Sequence, residues 1–334
     1  MSELEKQSAK IIKKIDRLLF VNKNKVDIRD TIIIVGTPRS GSTWFMEILS
    51  SIPNYTYIFE PLNPTYSPDS FKAGFYSRTY LPPNKEWAEG EEYLKKVFTA
   101  QAFGFIRPYE YKMEVIMNRI LAKKLIVKFI RLTRLLPWVE SRFQLRGIFY
   151  LIRHPCSVIA SQLKTNVFGY HPINPPYSGI FPNLKQVVDE AKKIDFLEEP
   201  LIKRLQKIKT REEILAAVWC LDNLVPLTSP KPHKWTSVIY EKMVDDGRNE
   251  IKRVFNSINE KIPDSAYKHL REPSMLTMKK DRKTIEDSNI QLSKWKKSLS
   301  KKQIENILSI VSDFGLDFYT NDIIPNYKIL NSKI

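Results

Sequence analysis

Cysteine and histidine are scarce in this chain. Its 334 residues include two cysteines, Cys156 and Cys220, and four histidines. So few cysteines, so far apart, exclude a disulfide framework and a Cys-x-x-Cys metal site, and we expect chemistry with no metal. Long apolar runs are absent too, because the longest fall well short of the ~20 residues of a membrane-spanning helix. Segment 1–20 lacks the continuous apolar stretch of a secretory signal, so we expect a cytoplasmic protein.

Acidic residues are few relative to basic ones. The chain has 54 lysines and arginines against 37 aspartates and glutamates, a formal net charge of +17. This excess favours a polyanionic partner, a description that nucleic acid, anionic lipid and phosphorylated small molecules all meet. With 43% hydrophobic and 27% charged residues, the composition is that of a folded globular protein.

Short β-branched or aromatic runs alternate with helical patterns along the chain. This alternation predicts an α/β fold of three layers (αβα) with a mainly parallel central sheet. The predicted strands are 31–35, 55–59, 125–129, 147–152 and 235–240. The predicted helices are 42–51, 113–124, 156–164, 211–227, 249–259 and 301–314. We expect one domain over residues 29–334, preceded by a helical N-terminal extension over residues 1–28.

Two proline-rich and aromatic stretches, 61–92 and 170–182, interrupt the alternation. Loops this long inside a compact domain are usually functional or disordered. Their aromatic content favours ordered lids that line a pocket, while plain surface loops stay an open alternative.

The segment 36–44, GTPRSGSTW, follows an apolar strand and opens a helix. This setting and its glycine spacing are those of a phosphate-binding P-loop, G-x-x-x-x-G-K-[ST]. Ser42 stands where the triphosphatase form has its lysine, and the cation is Arg39 instead. Backbone N–H groups at a helix N-terminus still bind an anion, so we predict a phosphate site without the triphosphate clamp.

No predicted strand ends in a magnesium-binding aspartate. The candidate strands run into Lys128, Arg153 and Glu241. A P-loop kinase or nucleotide hydrolase is therefore disfavoured and stays an alternative. A basic protein that binds a membrane surface or nucleic acid is the alternative from another class.

Together with segment 148–163 (IFYLIRHPCSVIASQL), the loop resembles the sulfotransferases that use 3′-phosphoadenosine 5′-phosphosulfate, PAPS. In that family a loop of the form P-[KR]-[SA]-G-[ST]-[ST]-W holds the 5′-phosphosulfate. A strand-end arginine, with a serine eight residues later, holds the 3′-phosphate, and Arg153 and Ser161 have this spacing. The resemblance implies PAPS as cofactor, PAP as product and a P-loop-like fold. The implied nucleotide-binding residues are Pro38, Arg39, Ser40, Gly41, Ser42, Thr43, Trp44, Arg153, Ser161 and Tyr240.

Other segments support the resemblance. The counterpart of Trp44 in the family stacks on adenine, and Tyr240 begins a segment similar to the family's Y-E-D-[LM] strand end near the base. Segment 294–299 (KWKKSL) resembles a C-terminal W-K element. His154 departs from the family's Asp or Asn, and we assign it no role. A basic cluster precedes the W-K element, and which member contacts the 3′-phosphate stays open: Lys279, Lys280, Arg282 and Lys283.

Glu60 is the predicted general base. It ends the second strand in YIFEPLNP, on the sheet edge that carries the P-loop. In carbohydrate sulfotransferases a similar F-E-P or G-E-P segment supplies the base, whereas small-molecule enzymes use a histidine two residues after a strand-end lysine. That lysine is Lys128 here, and Ile130 stands in the histidine position. We predict Lys128 and Arg39 as the cations that stabilise charge on the leaving oxygen.

These residues predict transfer of a sulfuryl group from PAPS to a hydroxyl. The carbohydrate-type motif shifts the expected acceptor toward a sugar or glycolipid. Residues 112–146 carry nine basic residues against two glutamates, a surface that could also contact an anionic membrane. We expect no nucleic acid partner.

Overall fold

The computed structural model describes residues 26–63, 67–76, 78–102, 121–168, 181–274 and 287–334. They contain a central sheet of five strands in the order β2-β3-β1-β4-β5. The strands are β1 (Thr31–Gly36), β2 (Tyr55–Phe59), β3 (Lys124–Phe129), β4 (Gly147–Ile152) and β5 (Thr236–Ile239). Every neighbouring pair is parallel, so the predicted parallel sheet is confirmed.

The apolar run of β1 places that strand at the centre of the sheet. Ile32, Ile33 and Ile34 have no exposed surface, as expected for a parallel strand that is covered on both faces. Because side chains alternate along a strand, Ile32 and Ile34 join one hydrophobic core and Ile33 joins the other. Helices therefore cover both faces, and the three-layer arrangement is confirmed.

The helices of the described residues lie between and after the strands. In chain order they are α1 (Ser42–Leu49), α2 (Pro68–Lys72), α3 (Ala88–Phe98), α4 (Leu136–Arg142), α5 (Pro155–Thr165), α6 (Leu184–Ala191), α7 (Glu199–Leu205), α8 (Arg211–Thr228), α9 (Tyr240–Asp245), α10 (Gly247–Ser257), α11 (Asp264–Arg271), α12 (Ser288–Ser298), α13 (Lys301–Asp313) and α14 (Tyr327–Lys333). Among these residues, no helix combines the length and apolar character that crossing a bilayer takes.

α1 and α8 show how the sequence builds the two outer layers. Phe45 and Ile48 of α1 pack into the core that contains Ile32. The opposite core receives the long helix α8, whose N-terminus is fixed by a capping box between Thr210 and Glu213. The P-loop therefore enters a helix that is anchored by its apolar face to the centre of the sheet.

Some predicted elements differ from the structure. The predicted loop 61–92 instead contains α2 and the start of α3, because Tyr93, Leu94, Val97 and Phe98 lie on one helical face that packs into the core. The predicted helix 113–124 ends incorrectly, since β3 already begins at Lys124. Residues 113–120 of that helix, 170–180 of the second loop and 1–25 of the N-terminal extension lie outside the described residues.

Candidate active site

Predicted site residues lie at or directly after the carboxyl ends of the five strands, and these ends form one edge of the sheet. They are Gly36 at the end of β1, Glu60 after β2, Lys128 near the end of β3, Arg153 after β4 and Tyr240 after β5. In the register of the sheet, Lys128 lies opposite Phe59 on one side and Ile34 on the other. This is the edge where open parallel sheets bind ligands.

The loop between β1 and α1 has the tight turn of an anion-binding loop. Arg39 (φ 73°) and Gly41 (φ 96°) both have left-handed backbones. The N–H of Ser40 donates to the carbonyl of Thr37 at 3.1 Å. The Ser40 hydroxyl is buried and has no hydrogen-bond partner among the described residues. Since no side chain caps α1 either, the turn presents donors that suit an anion.

Gly41 is needed where the loop passes Tyr240. A Cβ atom on Gly41 would lie 2.5 Å from Cδ2 of the Tyr240 ring, and one on Gly315 would meet nothing within 4 Å, although its φ is also positive. We expect G41A to lower the free energy of unfolding by about 2–3 kcal/mol, from backbone strain plus overpacking. G315A should cost about 1 kcal/mol, from strain alone. Urea unfolding checks both, and equal losses would contradict a steric role for Tyr240.

The P-loop and the segment after β4 meet directly. Nε of Arg39 donates to the Ser161 hydroxyl at 2.9 Å. Nη1 of Arg153 donates to the main-chain carbonyl of Arg39 at 3.2 Å. Among the described residues, no carboxylate lies within 4.0 Å of either guanidinium. The structure thus brings Arg39 together with Arg153 and Ser161, which lie 114 and 122 positions further along the sequence.

The charges at this junction repel one another. Burial lowers the pKa of Arg39, and the nearby charge of Arg153 lowers it further. The Arg153 guanidinium lies 3.9 Å from the centroid of the Tyr240 ring, which offsets part of its positive charge. Two partly buried cations in this arrangement favour a ligand that brings negative charge to both of them.

Gln162, which was not predicted, and several predicted residues surround this junction. Gln162 of α5 donates to the carbonyl of Pro38 at 3.1 Å. Ser42 and Thr43 are buried in the first turn of α1. The indole N–H of Trp44 donates to the carbonyl of His269 at 2.9 Å, which ties α1 to α11. The Trp44 and Tyr240 rings lie edge to face, 5.4 Å apart, so two aromatic side chains stand beside the loop.

The Glu60 carboxylate lies among cations at the end of β3. Its Oε1 accepts from Nζ of Lys128 at 2.5 Å. Its Oε2 accepts from Nη1 of Arg131 and from the N–H of Ile130, both at 3.3 Å. Glu60, Lys128 and Arg131 are each at least 95% buried. Glu60 has a left-handed backbone (φ 53°), and its own N–H donates to the carbonyl of Lys128 at 3.0 Å.

Arg131 is a second site residue, besides Gln162, that the sequence did not indicate. It belongs to a basic run that reads as a solvated surface. The only available signal was its position two residues after a strand that ends at the ligand-binding edge. The predicted basic cluster at residues 279–283 lies outside the described residues.

His154, which received no predicted role, caps α5. Its Nδ1 accepts from the N–H of Cys156 at 3.2 Å, and its other ring nitrogen lies 3.0 Å from the carbonyl of Thr320. The imidazole stacks on Trp295 with 4.7 Å between ring centroids. Burial lowers the pKa of His154 to about 4, so the buried ring is neutral at pH 7. His154 therefore connects the end of β4 to the C-terminal helices.

His154 should make the protein less stable in acid. The unfolded chain protonates this histidine near pH 6.5, whereas the folded protein does so near pH 4. The unfolded state thus binds more protons in this window, and stability falls as the pH drops through it. Relative to H154N, which keeps a cap, we expect wild type to lose on the order of 3 kcal/mol between pH 6.5 and 4.

Denaturant unfolding at several pH values measures this difference. The comparison with H154N is needed because burial raises the pKa of the neighbouring Glu241 carboxyl. A raised carboxyl pKa acts in the opposite sense, since its stabilisation is present at low pH and is lost as the pH rises. Parallel pH profiles for wild type and H154N would show that His154 titrates as it does in the unfolded chain.

No protein-family model and no curated protein matches this chain. Several solved structures are similar to it. A sulfotransferase domain from the curacin biosynthetic pathway shares 18% identity with a TM-score of 0.43, over 85% of this chain and 96% of that one. A sulfotransferase domain of the Synechococcus olefin synthase shares 14% identity with a TM-score of 0.41, over 89% of this chain and 97% of that one. A mouse sulfotransferase complexed with PAP shares 14% identity with a TM-score of 0.43, over 96% of this chain and 94% of that one. These scores are low, and we argue the function from the site itself.

Proposed function

We propose that the chain is a PAPS-dependent sulfotransferase that sulfates a hydroxyl of a carbohydrate or glycolipid, with Glu60 as the general base. One observation carries this proposal. Arg39 of the P-loop donates to Ser161 of α5, and Arg153 after β4 donates to the carbonyl of Arg39, with no described carboxylate within 4.0 Å of either guanidinium. A nucleotide that is phosphorylated at both ends of its nucleoside needs two anion-binding groups of this kind.

The polar atoms of the site fit such a nucleotide. Ser40 Oγ and Arg153 Nε are buried and have no hydrogen-bond partner among the described residues. Buried polar groups in native proteins nearly always find a partner, so a ligand that accepts from both atoms accounts for them. In this proposal the turn 38–43 holds the 5′ end, while Arg153 and Ser161 hold the 3′-phosphate. Trp44 and Tyr240 lie beside the base.

In the proposed reaction the protein contributes a base, stabilising charges and the positions of the reactants. PAPS supplies a sulfuryl group whose sulfur bonds to the acceptor oxygen, while the electron pair of the broken S–O bond stays on the phosphate. Glu60 takes the proton of the acceptor hydroxyl. Lys128 and Arg39 stabilise the charge that develops on the phosphate oxygen. Most of the rate enhancement then comes from positioning and charge, as in phosphoryl transfer.

The proposed class of acceptor depends on which residue acts as the general base. The small-molecule type of enzyme places a histidine where this chain has Ile130, and here the N–H of Ile130 donates to Glu60 instead. A carboxylate base after the second strand is the carbohydrate-type arrangement that the motif YIFEPLNP resembles. We further propose that residues 29–334 form the catalytic domain and that the protein acts in the cytoplasm. Peripheral contact with an anionic membrane would bring it to a lipid-linked sugar acceptor.

Isothermal titration of PAP against AMP tests the proposal. The two ligands differ in the 3′-phosphate, so a site with a second anion-binding group should bind PAP about 10- to 100-fold more tightly. Turnover is also measured in EDTA, because a kinase or nucleotide hydrolase needs Mg²⁺ for activity and sulfuryl transfer does not. Equal affinity for PAP and AMP would contradict the proposed function.

A further inference from the structure

The two oxygens of the Glu60 carboxylate have different kinds of partner. Oε1 is held by the Lys128 ammonium at 2.5 Å. Oε2 is held by the Arg131 guanidinium and by the main-chain N–H of Ile130, each at 3.3 Å. A base needs one oxygen accessible to the proton it takes and a fixed orientation for the rest of the group.

The partners of Oε2 are a main-chain N–H and a guanidinium, whereas the partner of Oε1 is an ammonium. The N–H of Ile130 belongs to the main chain directly after β3 and stays with the sheet. Arg131 has a planar, rigid guanidinium and is 4% exposed, whereas lysine carries a compact ammonium on a flexible stem. A lysine is therefore better suited to exchange its partner, and an arginine is better suited to hold Oε2 in a fixed position.

The neighbouring arginine shows that this orientation is specific. Arg134, three residues further along, turns its guanidinium to Asp222 at 2.8 Å and to Glu190 at 3.0 Å. That network joins α6 and α8 on one side of the sheet. Arg131, in contrast, directs its guanidinium to the Glu60 carboxylate at the sheet edge.

We propose that Arg131 is a positioning residue, which anchors Oε2 of Glu60 so that Oε1 faces the acceptor hydroxyl when Lys128 turns to the leaving oxygen. This inference rests on the proposed function. In the step, the acceptor O–H bond breaks and its proton goes to Oε1 as the acceptor oxygen bonds to sulfur. The electron pair of the broken S–O bond stays on the phosphate oxygen of PAP.

Two variants that fill the same space test Arg131. R131K keeps a charged donor for Oε2, and R131M removes it. We expect R131M to lower kcat about tenfold, through loss of orientation, while KM for PAPS and the Kd of PAP change less than about threefold. R131K should keep kcat within about threefold of wild type. Turnover is measured as PAP released from PAPS, with octyl β-galactoside as acceptor and with water alone.

R204M is the matched control, since Arg204 pairs with Asp313 at 2.7 Å on the surface between α7 and α13. It should leave kcat and Kd unchanged. Crystals of R131M with PAP should show the Glu60 carboxylate rotated from its wild-type position, a result that does not depend on activity. Equal kcat for R131K and R131M, or an unmoved carboxylate, would overturn the inference.

Two further outcomes are distinguishable. Should R131M not fold, R131K decides alone, because a fall in its kcat beyond about tenfold contradicts a role that a charged donor can fill. If wild type binds PAP and AMP equally, the proposed function fails, whatever Arg131 does. If wild type prefers PAP while both Arg131 variants turn over normally, only the positioning role fails.

Discussion

Replacing Glu60 by glutamine is expected to lower kcat about a hundredfold or more while leaving the Kd of PAP within about threefold. Glutamine has nearly the same shape but cannot take a proton from the acceptor hydroxyl. The affinity for PAP should persist because Arg39 and Arg153, not Glu60, make the proposed phosphate contacts. Release of PAP from PAPS gives kcat, and isothermal titration gives the Kd.

E250Q is the control for this variant. Glu250 is a buried carboxylate of α10 that also lies between two cations, Lys242 at 2.8 Å and Arg253 at 2.7 Å. It is 2% exposed, against 3% for Glu60. E250Q therefore matches the loss of charge in a paired, buried environment that involves neither Lys128 nor Arg131. A comparable fall of kcat in both variants would mean that E60Q acts through stability, and undiminished turnover in E60Q would place the base elsewhere.

The sheet was predictable because its strands are buried on both faces. An apolar run such as 31–35 is determined by local composition, and its bounds lie within one residue of β1. The beginning of α9 at Tyr240 was not predictable, because the apolar run of β5 continues into that residue without a local stop. Helices such as α3, in which five of the eleven residues are charged, were not predicted because their apolar stripe is narrow.

The contacts of the site depend on strand order, which local patterns do not contain. Arg153 reaches the carbonyl of Arg39 because β4 pairs with β1, and Lys128 reaches Glu60 because β3 lies between β1 and β2. Arg131 was not predicted for a different reason. The sequence around it is basic throughout, and only tertiary packing decides which of its cations is buried against a carboxylate. Which residues carry charge is a property of the sequence, but which charges meet is a property of the fold.

Replacing Arg153 by methionine is expected to weaken PAP about 10- to 100-fold while AMP affinity changes less than about threefold. Methionine keeps an apolar stem beside the Tyr240 ring, which now lies 3.9 Å from the guanidinium carbon. The affinity for PAP should fall, and not that for AMP, because only PAP carries the 3′-phosphate that Arg153 is proposed to contact. Titrations of both nucleotides on both proteins give four values, and the change in their ratio isolates the 3′-phosphate.

R146M provides the matched control on the same strand. Arg146 precedes β4 and pairs with Glu260 at 2.8 Å, whereas Arg153 follows β4 at the opposite, ligand-binding edge. Losing the charge of Arg146 should therefore leave both affinities unchanged, even though it lowers the net charge of the protein equally. If R146M weakened PAP as much as R153M, general electrostatic attraction would explain the binding. If R153M weakened the binding of PAP and of AMP alike, Arg153 would contact the part that the two nucleotides share. The proposal that the site binds both phosphorylated ends of the nucleotide would then be wrong.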